Sequence, residues 1–312
     1  MRRVSDIDLR LLRVFVAVAE AKGFAAAETY LNVSTSTISM HISNLESRLG
    51  IRLCERGRSG FKLTDRGRLV FEETKGILKS LDDFAGMLAS VKSKLAGRLS
   101  IGMVDALVDH PAFPLSAALR EFNTIDHDVA LELTVAPRQE LEHHVVEGRI
   151  DAAIGPFVRS ISGLKFTPLL SEPTQLYCGT GHPLFRASRK VLAKTDMSAF
   201  RVVLRQYNSE FDRAKLGAVR EEATVNNMEG MLVLLLSGSY IGYLPTHYAQ
   251  PWVDTGQLFA IDTGDSGYVS EHALITKSSG QESLALDKFV SLIREAAAAA
   301  QRAQTEASSA LA

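Results

Sequence analysis

The sequence predicts an α/β chain made of a small helical head with a two-stranded wing, a long linker helix, and a two-lobed domain built on parallel strands. Three observations predict it. Helical periodicity gives way to two short extended pieces before residue 66, apolar residues then recur at steps of three and four, and strand and helix patterns alternate beyond Gly97. At 312 residues, 46% hydrophobic and 23% charged, the chain suits two or three cores rather than a fibre or a disordered segment.

In the head, Asp8 is placed to cap a helix to about Ala21, with Leu9, Leu12, Phe15, Val16 and Ala19 on one face. Lys22 and Gly23 stop it. A short helix over Phe24 to Leu31 is followed by one that Ser34 opens and Gly50 closes, with Ile38, Ile42 and Leu45 facing inward. Extended pieces at Arg52 to Cys54 and Phe61 to Leu63, joined by Gly57, Arg58, Ser59 and Gly60, read as a wing. Together these predict a winged helix-turn-helix over 1–66.

Asp65 can cap the next helix, a linker over 67–96. Thr74, Ile77, Leu81, Phe84, Leu88, Val91 and Leu95 form a seam on it, while Glu72, Lys75, Lys79, Asp82, Asp83 and Lys92 occupy the other faces. A seam repeating every seven residues on a helix this long asks for a partner helix, so Ile77, Leu81, Phe84, Leu88, Val91 and Leu95 are the expected dimerisation residues.

Strands at Leu99–Val104, Ala130–Val135 and Asp151–Gly155, with helices at Ala112–Asn123 and Arg138–Glu147, make two successive right-handed βαβ units. A second set has strands near Gln175–Cys178, Arg201–Leu204, Ala223–Val225 and Ser239–Tyr243, and helices near Ser209–Leu216 and Asn227–Leu236. The extended piece Val269–Ile275 and a helix from Glu282 return to the first lobe. The domain at 97–300 thus divides into lobe I (97–170 and 269–300) and lobe II (171–268), and 301–312 reads as a frayed tail.

The longest strongly apolar run, Met231 to Leu236, is far below the roughly 20 residues a bilayer span needs. Charges at Asp6, Asp8, Arg10 and Arg13 interrupt what would be an export signal. Cys54 and Cys178 fall in different predicted domains, which argues against a structural disulfide and for a reducing, cytoplasmic setting. Residues 1–66 carry 11 Lys and Arg against 7 Asp and Glu, or +4, so the net charge of −1 leaves −5 for the rest. A basic head on an acidic body fits a modular nucleic-acid binder, although a solvated face gives such counts too.

The second helix of a helix-turn-helix offers its N-terminal side chains to base edges in the major groove. Here these are Ser34, Thr35, Ser36, Thr37, Ser39, Met40 and His41, whose hydroxyls can meet bases or phosphates. A Ser/Thr-rich helix start is also common elsewhere, so context decides. The segment from Gly23 to Gly67, with its run LNVSTSTISMHISNLESRLGIRLCERGRSGFKLT, resembles the DNA-binding domain of LysR-type transcriptional regulators. The match includes Leu45-Glu46, Leu49-Gly50, Leu53, Arg56, Leu63-Thr64 and Gly67, and the order and lengths of the later parts extend it along the chain. Thr35 and Met40 stand where the family commonly has Gln and Arg, which points to a different base preference, and in the wing Ser59 stands where the family often has a basic residue, the charge here being at Arg58 beside Arg56. Arg56, Arg58 and Lys62 are expected on phosphate or in the minor groove.

The resemblance implies double-stranded promoter or operator DNA as partner and dimers or tetramers. It further implies a periplasmic-binding-protein-like effector domain with a small-molecule effector, and RNA polymerase as a further contact. No cofactor, metal or membrane is expected. Ligands of open α/β sheets sit at the carboxyl ends of strands, which selects Asp105 and Ala106, Pro137 and Arg138, Arg205 and Gln206, and Asn226 and Asn227. Arg138 or Arg205 has the chemistry to clamp a carboxylate. Asp105 either meets a cationic or hydroxylated ligand or caps the next helix. Catalysis has no motif: His143-His144 point to different helix faces, unlike zinc ligands four apart, and neither GxSxG nor GxxxxGK[ST] occurs.

Overall fold

The computed structural model describes residues 6–57, 60–90, 95–157, 161–206, 209–216, 220–264, 266–278 and 283–310. Side chains are described for these except at 6–7, 56–57, 83, 85–90, 209–210, 214, 220–222 and 307–310. The chain divides into two compact units, Met1–Ala85 and Gly86–Ala312.

The first unit holds α1 (Asp6–Glu20), α2 (Phe24–Leu31), α3 (Thr35–Leu49), the hairpin of β1 (Cys54–Gly57) and β2 (Gly60–Leu63), and the start of α4 (Asp65–Ser90). Its core is Leu11, Phe15, Val18, Ala27, Ile38, Ile42, Leu45 and Leu53. The buried face of α1 therefore centres on Leu11, Val14, Phe15 and Val18. That lies beside the expected set, because two overlapping stripes in this apolar helix share Phe15. Asp8 is no cap: it lies inside α1 and pairs with Arg48 of α3. Ser34 does cap α3, accepting from the Thr37 N–H at 3.4 Å, and Gly50 ends the helix with φ of 70°. Thr64, not Asp65, caps α4: its Oγ1 accepts from the Gly67 N–H at 2.8 Å and donates to the Arg52 carbonyl at 2.7 Å. Glu46 braces the wing by accepting from the Leu53 and Cys54 amides at 2.7 and 3.2 Å.

The linker helix ends at Ser90, so Leu95 is not on the seam. It lies in β3 (Leu95–Met103), paired with His127, where the strand's ladder claims its backbone. Thr74 is buried, whereas Ile77 and Phe84 are about half exposed. Lys79, expected on an outer face, is buried. The Leu88 side chain and Val91 lie outside the described residues.

The second unit continues with α5 (Leu115–Phe122), β4 (His127–Val135), α6 (Arg138–Val146), β5 (Ala152–Gly155) and β6 (Leu164–Gly179). It is completed by α7 (Arg189–Leu192), β7 (Arg201–Arg205), α8 (Ser209–Leu216), β8 (Arg220–Val225), α9 (Met228–Leu236), β9 (Ile241–Pro245), α10 (Thr246–Asp254), β10 (Leu258–Ala260), β11 (Tyr268–Lys277) and α11 (Leu284–Ala310). The strands run β4-β3-β5-β11-β6-β9-β7-β8, with β10 on β6. β3 is parallel to β4 and β5, and β7 to β8 and β9; β6 and β11 are antiparallel to each other and carry the sheet from one half to the other.

Each half buries both sheet faces. Leu99, Ile101, Phe122, Ile154 and Phe289 form one layer of the first half, and Leu141, Val145, Ala153 and Ile275 the opposite layer. Leu176, Val202, Leu204 and Tyr243, and on the other face Val203, Met231, Leu235 and Leu244, do the same for the second half. Residues 301–310 are helical rather than frayed, since Ala, Gln and Arg favour helix and Gln301 donates to the Leu169 carbonyl at 3.0 Å. Opposite His272 and Ala273, Leu169 is an extra residue in β6, a β-bulge at the crossing.

Candidate functional site

Two places gather the expected residues. On α3, Ser34, Ser36 and Met40 are exposed and Thr35, Thr37, Ser39 and His41 half-buried, around an inward face of Ile38, Ile42 and Leu45. Met40 is 60% exposed, unusual for so apolar a side chain, and gives the helix a group suited to a thymine methyl. The Ser34 hydroxyl lies 2.9 Å from those of both Ser36 and Thr37, so the helix start is pre-organised. Lys62 is exposed on β2. The Arg56 side chain and all of Arg58 lie outside the described residues.

The second place is a cavity of about 270 Å³ between the halves of the sheet, lined by Asp105, Arg138, Phe157, Glu172, Arg205, Phe211, Asn226, Tyr268 and His272 among others. A neighbouring one of about 420 Å³ is lined by Asp105, Ala106, Pro137, Asn226, Asn227 and Tyr248. Strand ends from both halves thus converge as the strand-end rule requires. Gln206 is the exception: it is exposed, its amide donates to the Val225 carbonyl at 2.9 Å, and it lines neither cavity.

The charged groups are already partly matched. Arg205 is buried and donates to both carboxylate oxygens of Asp212, through Nε at 3.0 Å and through Nη2, and to the Tyr268 hydroxyl. A clamp role for it gives way to this pair, because a buried guanidinium requires its own counter-charge. Arg138 opens α6 with its Nε buried and without a hydrogen bond, 3.9 Å from Glu142. Asp105 accepts from the Met228 N–H, capping α9 across the cleft rather than the helix that follows it in sequence. Burial raises its pKa against that bond. Ala106 holds a left-handed φ of 56°, and its carbonyl accepts from His247 Nε2 at 2.8 Å. Such backbone strain is concentrated at functional sites.

Sequence reasoning missed the cavity's floor. Glu172 of β6 is 6% exposed, with His272 Nε2 at 3.7 Å and His247 Nε2 at 4.0 Å. The His110 and His247 rings meet edge to face at 4.7 Å. Burial pushes the Glu172 carboxyl from 4.5 up to about 8, helped by Asp105 and Asp109 and opposed by Arg205. Burial also drives His272 from 6.5 down to about 4 and lowers His110. No group of three or more His, Cys, Asp or Glu among the described residues is arranged to hold a metal ion.

A raised carboxyl stabilises the fold fully below pH 4.5 and loses that contribution as pH rises to about 8. A lowered histidine does the opposite, contributing above pH 6.5 and losing it toward pH 4. The two oppose one another between 4.5 and 6.5. Above that window Glu172 remains, so stability is expected to fall by about 2 kcal/mol between pH 6.5 and 8 and not to do so in Glu172→Gln. Urea unfolding at the two pH values checks this, and equal slopes in both proteins would refute it.

Cys178 is buried and its thiol is pushed up to about 12 by burial, while Cys54 is buried in the other unit. Both are buried, whereas a redox sensor needs a solvent-accessible thiol. No described helix is long and apolar enough to cross a membrane.

A helix-turn-helix head followed by a ligand-sized cleft between two α/β halves defines a ligand-responsive DNA-binding regulator. Residues 9–68 match the bacterial regulatory helix-turn-helix protein, lysR family, and residues 92–298 match the LysR substrate binding domain. The chain belongs to the LysR family of transcriptional regulators. It is 35% identical over 292 residues to the HTH-type transcriptional activator BauR of Pseudomonas aeruginosa, covering 93% of this chain and 96% of that one. The regulator BenM of Acinetobacter baylyi is 29% identical over 199 residues, 64% of each chain. Full-length CbnR complexed with its target DNA shares the fold, with a TM-score of 0.63, 21% identity, and coverage of 92% of this chain and 99% of that one.

Proposed function

We propose that this regulator reads its operator through Ser34, Thr35, Ser36, Thr37, Ser39, Met40 and His41, and that a small molecule held between its lobes sets how the heads meet DNA. The observation that carries the reading is the convergence of Asp105, Arg138 and Asn226, from both halves, on one cavity. A ligand touching both halves shifts their arrangement in proportion to its differential affinity. Relatives support the regulatory part: BauR, matched along nearly its whole length, is a transcriptional activator.

In this reading the chain is not an enzyme, works in the cytoplasm, and comprises a head (1–66), a linker (67–96) and an effector domain (97–300). Ile77, Leu81 and Phe84 form the dimer seam. Half-exposed apolar side chains on a long helix are what a partner helix would cover. Phe84→Glu is expected to convert the dimer to monomer in sedimentation at micromolar concentration; an unchanged mass would remove Phe84 from the seam. Tetramers, DNA bending and contact with RNA polymerase are the expected elaborations.

The test of DNA reading is a titration of DNA from upstream of the protein's own gene at several salt concentrations. Lys62→Ala is expected to weaken binding to all sequences alike and reduce the salt slope by about 1. Met40→Ala should change the ranking of sequences instead. If Lys62→Ala bound like the parent at every salt, the wing would not touch phosphate.

A further inference from the structure

Glu172 is the one carboxyl in the cavity whose chemistry the fold leaves unfinished. The other acidic groups of the lining have partners: Asp105 accepts from the Met228 amide, and Glu271 accepts from the Ser171 hydroxyl at 2.8 and 3.0 Å. Glu172 has no hydrogen bond among the described residues, and its nearest cationic-capable atoms stand at 3.7 and 4.0 Å, beyond hydrogen-bond length. Glu172 lines the cavity with no hydrogen bond from the described residues, so a ligand there can supply the partner that the fold does not.

The charge around it selects the ligand's sign. Arg205 from β7 is engaged by Asp212 and Tyr268. From β11 comes His272, lowered to about 4 and so uncharged at neutral pH; from α10 comes His247, bonded to the Ala106 carbonyl. The segment after β3 contributes Asp105, Asp109 and His110. Phe157, Phe211 and Tyr268 line the same space, and aromatic faces attract cations. At about 270 Å³ the cavity is at the small end of ligand sites.

We propose that the effector is a small molecule carrying a protonated amine, and that this ammonium docks on the Glu172 carboxylate. The proposal rests on the effector reading above. In the empty cavity Glu172 holds its proton at neutral pH; on binding, the carboxyl O–H breaks, the proton leaves to solvent, and the carboxylate accepts hydrogen bonds from the incoming ammonium. Arg138 Nε, buried and unbonded on the wall, is placed for a second, electron-rich end of the same molecule.

Three probes of four carbons each separate the possibilities: n-butylamine, butyrate and 4-aminobutyrate, each titrated into the full-length protein by thermal shift and by calorimetry in two buffers of different ionisation enthalpy. Both amines are expected to raise Tm and butyrate not to. Binding should release one proton and tighten toward tenfold per pH unit between pH 6 and 8. Glu172→Gln, which matches the protonated side chain in shape, should melt cooperatively and lose the amine response; Glu172→Asp should retain it in weakened form. Protection by butyrate alone, an amine response surviving in Glu172→Gln, or no response to either amine overturns the proposal. A butyrate-only response that alters the DNA titration would leave the effector reading standing, whereas amine docking that leaves DNA binding untouched would sink the effector reading alone.

Discussion

A Gly67→Ala variant is expected to lose its DNA-binding head while residues 86–312 keep their cooperative fold. A Cβ at position 67 would overlap the Leu53 carbonyl oxygen and stand 2.8 Å from its carbon. That carbonyl is held in place because the Thr64 N–H donates to it at 3.0 Å. The propensity gain of alanine over glycine in a helix, about 1 kcal/mol, is outweighed by backbone overlap costing on the order of 4 kcal/mol or more. Gly76 lies on the same helix with nothing within 4 Å of its added Cβ. Gly76→Ala should therefore stabilise the head by up to about 1 kcal/mol. Thermal melts and operator titrations of the two variants decide it, and similar behaviour would mean that the α4 start is free to shift away from the wing.

The second large effect is in the other unit. Asp212→Ala is expected to cost about 3–5 kcal/mol, since it removes the carboxylate that accepts from the buried Arg205 guanidinium through two of its nitrogens. Replacing both, as Arg205→Met with Asp212→Leu, should recover much of that loss, because the pair's attraction was offset by desolvating both charges. With the Asp212 charge gone, Arg205 acts more strongly on Glu172, so the fall in stability between pH 6.5 and 8 should shrink in Asp212→Ala. If the single variant unfolds no more readily than the double in urea, the pair is not what keeps Arg205 buried.

Local signals carried most of the architecture. Apolar spacing placed the head's helices, Ser34 marked a real cap, and the βαβ alternation located β3 to β5 and β7 to β9 within a few residues. The alternation assigns no element to 164–174, where Pro168 and Pro173 fall, although Pro168 adjoins the bulge where a missing ladder bond is tolerated. Nor does it assign one to α10, which carries Pro251 inside the helix.

The cavity was legible only where it depended on strand ends. Asp105, Arg138 and Asn226 follow from that rule, whereas His110, His247 and His272 are distant in sequence and meet only through the fold. Glu172 sits in the part of β6 to which the sequence pattern assigned no strand, so no local pattern singled it out. Arg205 and Asp212, seven residues apart, gave no periodic signal for a pair that decides the role of both.

The extra residue at Leu169 puts the lobes' relative aim under the control of a residue count. Deleting it would bring β6 and β11 back to one-to-one pairing with the same partners on either side, and would remove the local bend and added twist that a bulge gives its strand. Substitutions there would leave the offset intact. In a lineage of such proteins, loss or gain of this one residue, rather than a change of side chain, would be the mutation that re-aims one half of the cleft against the other.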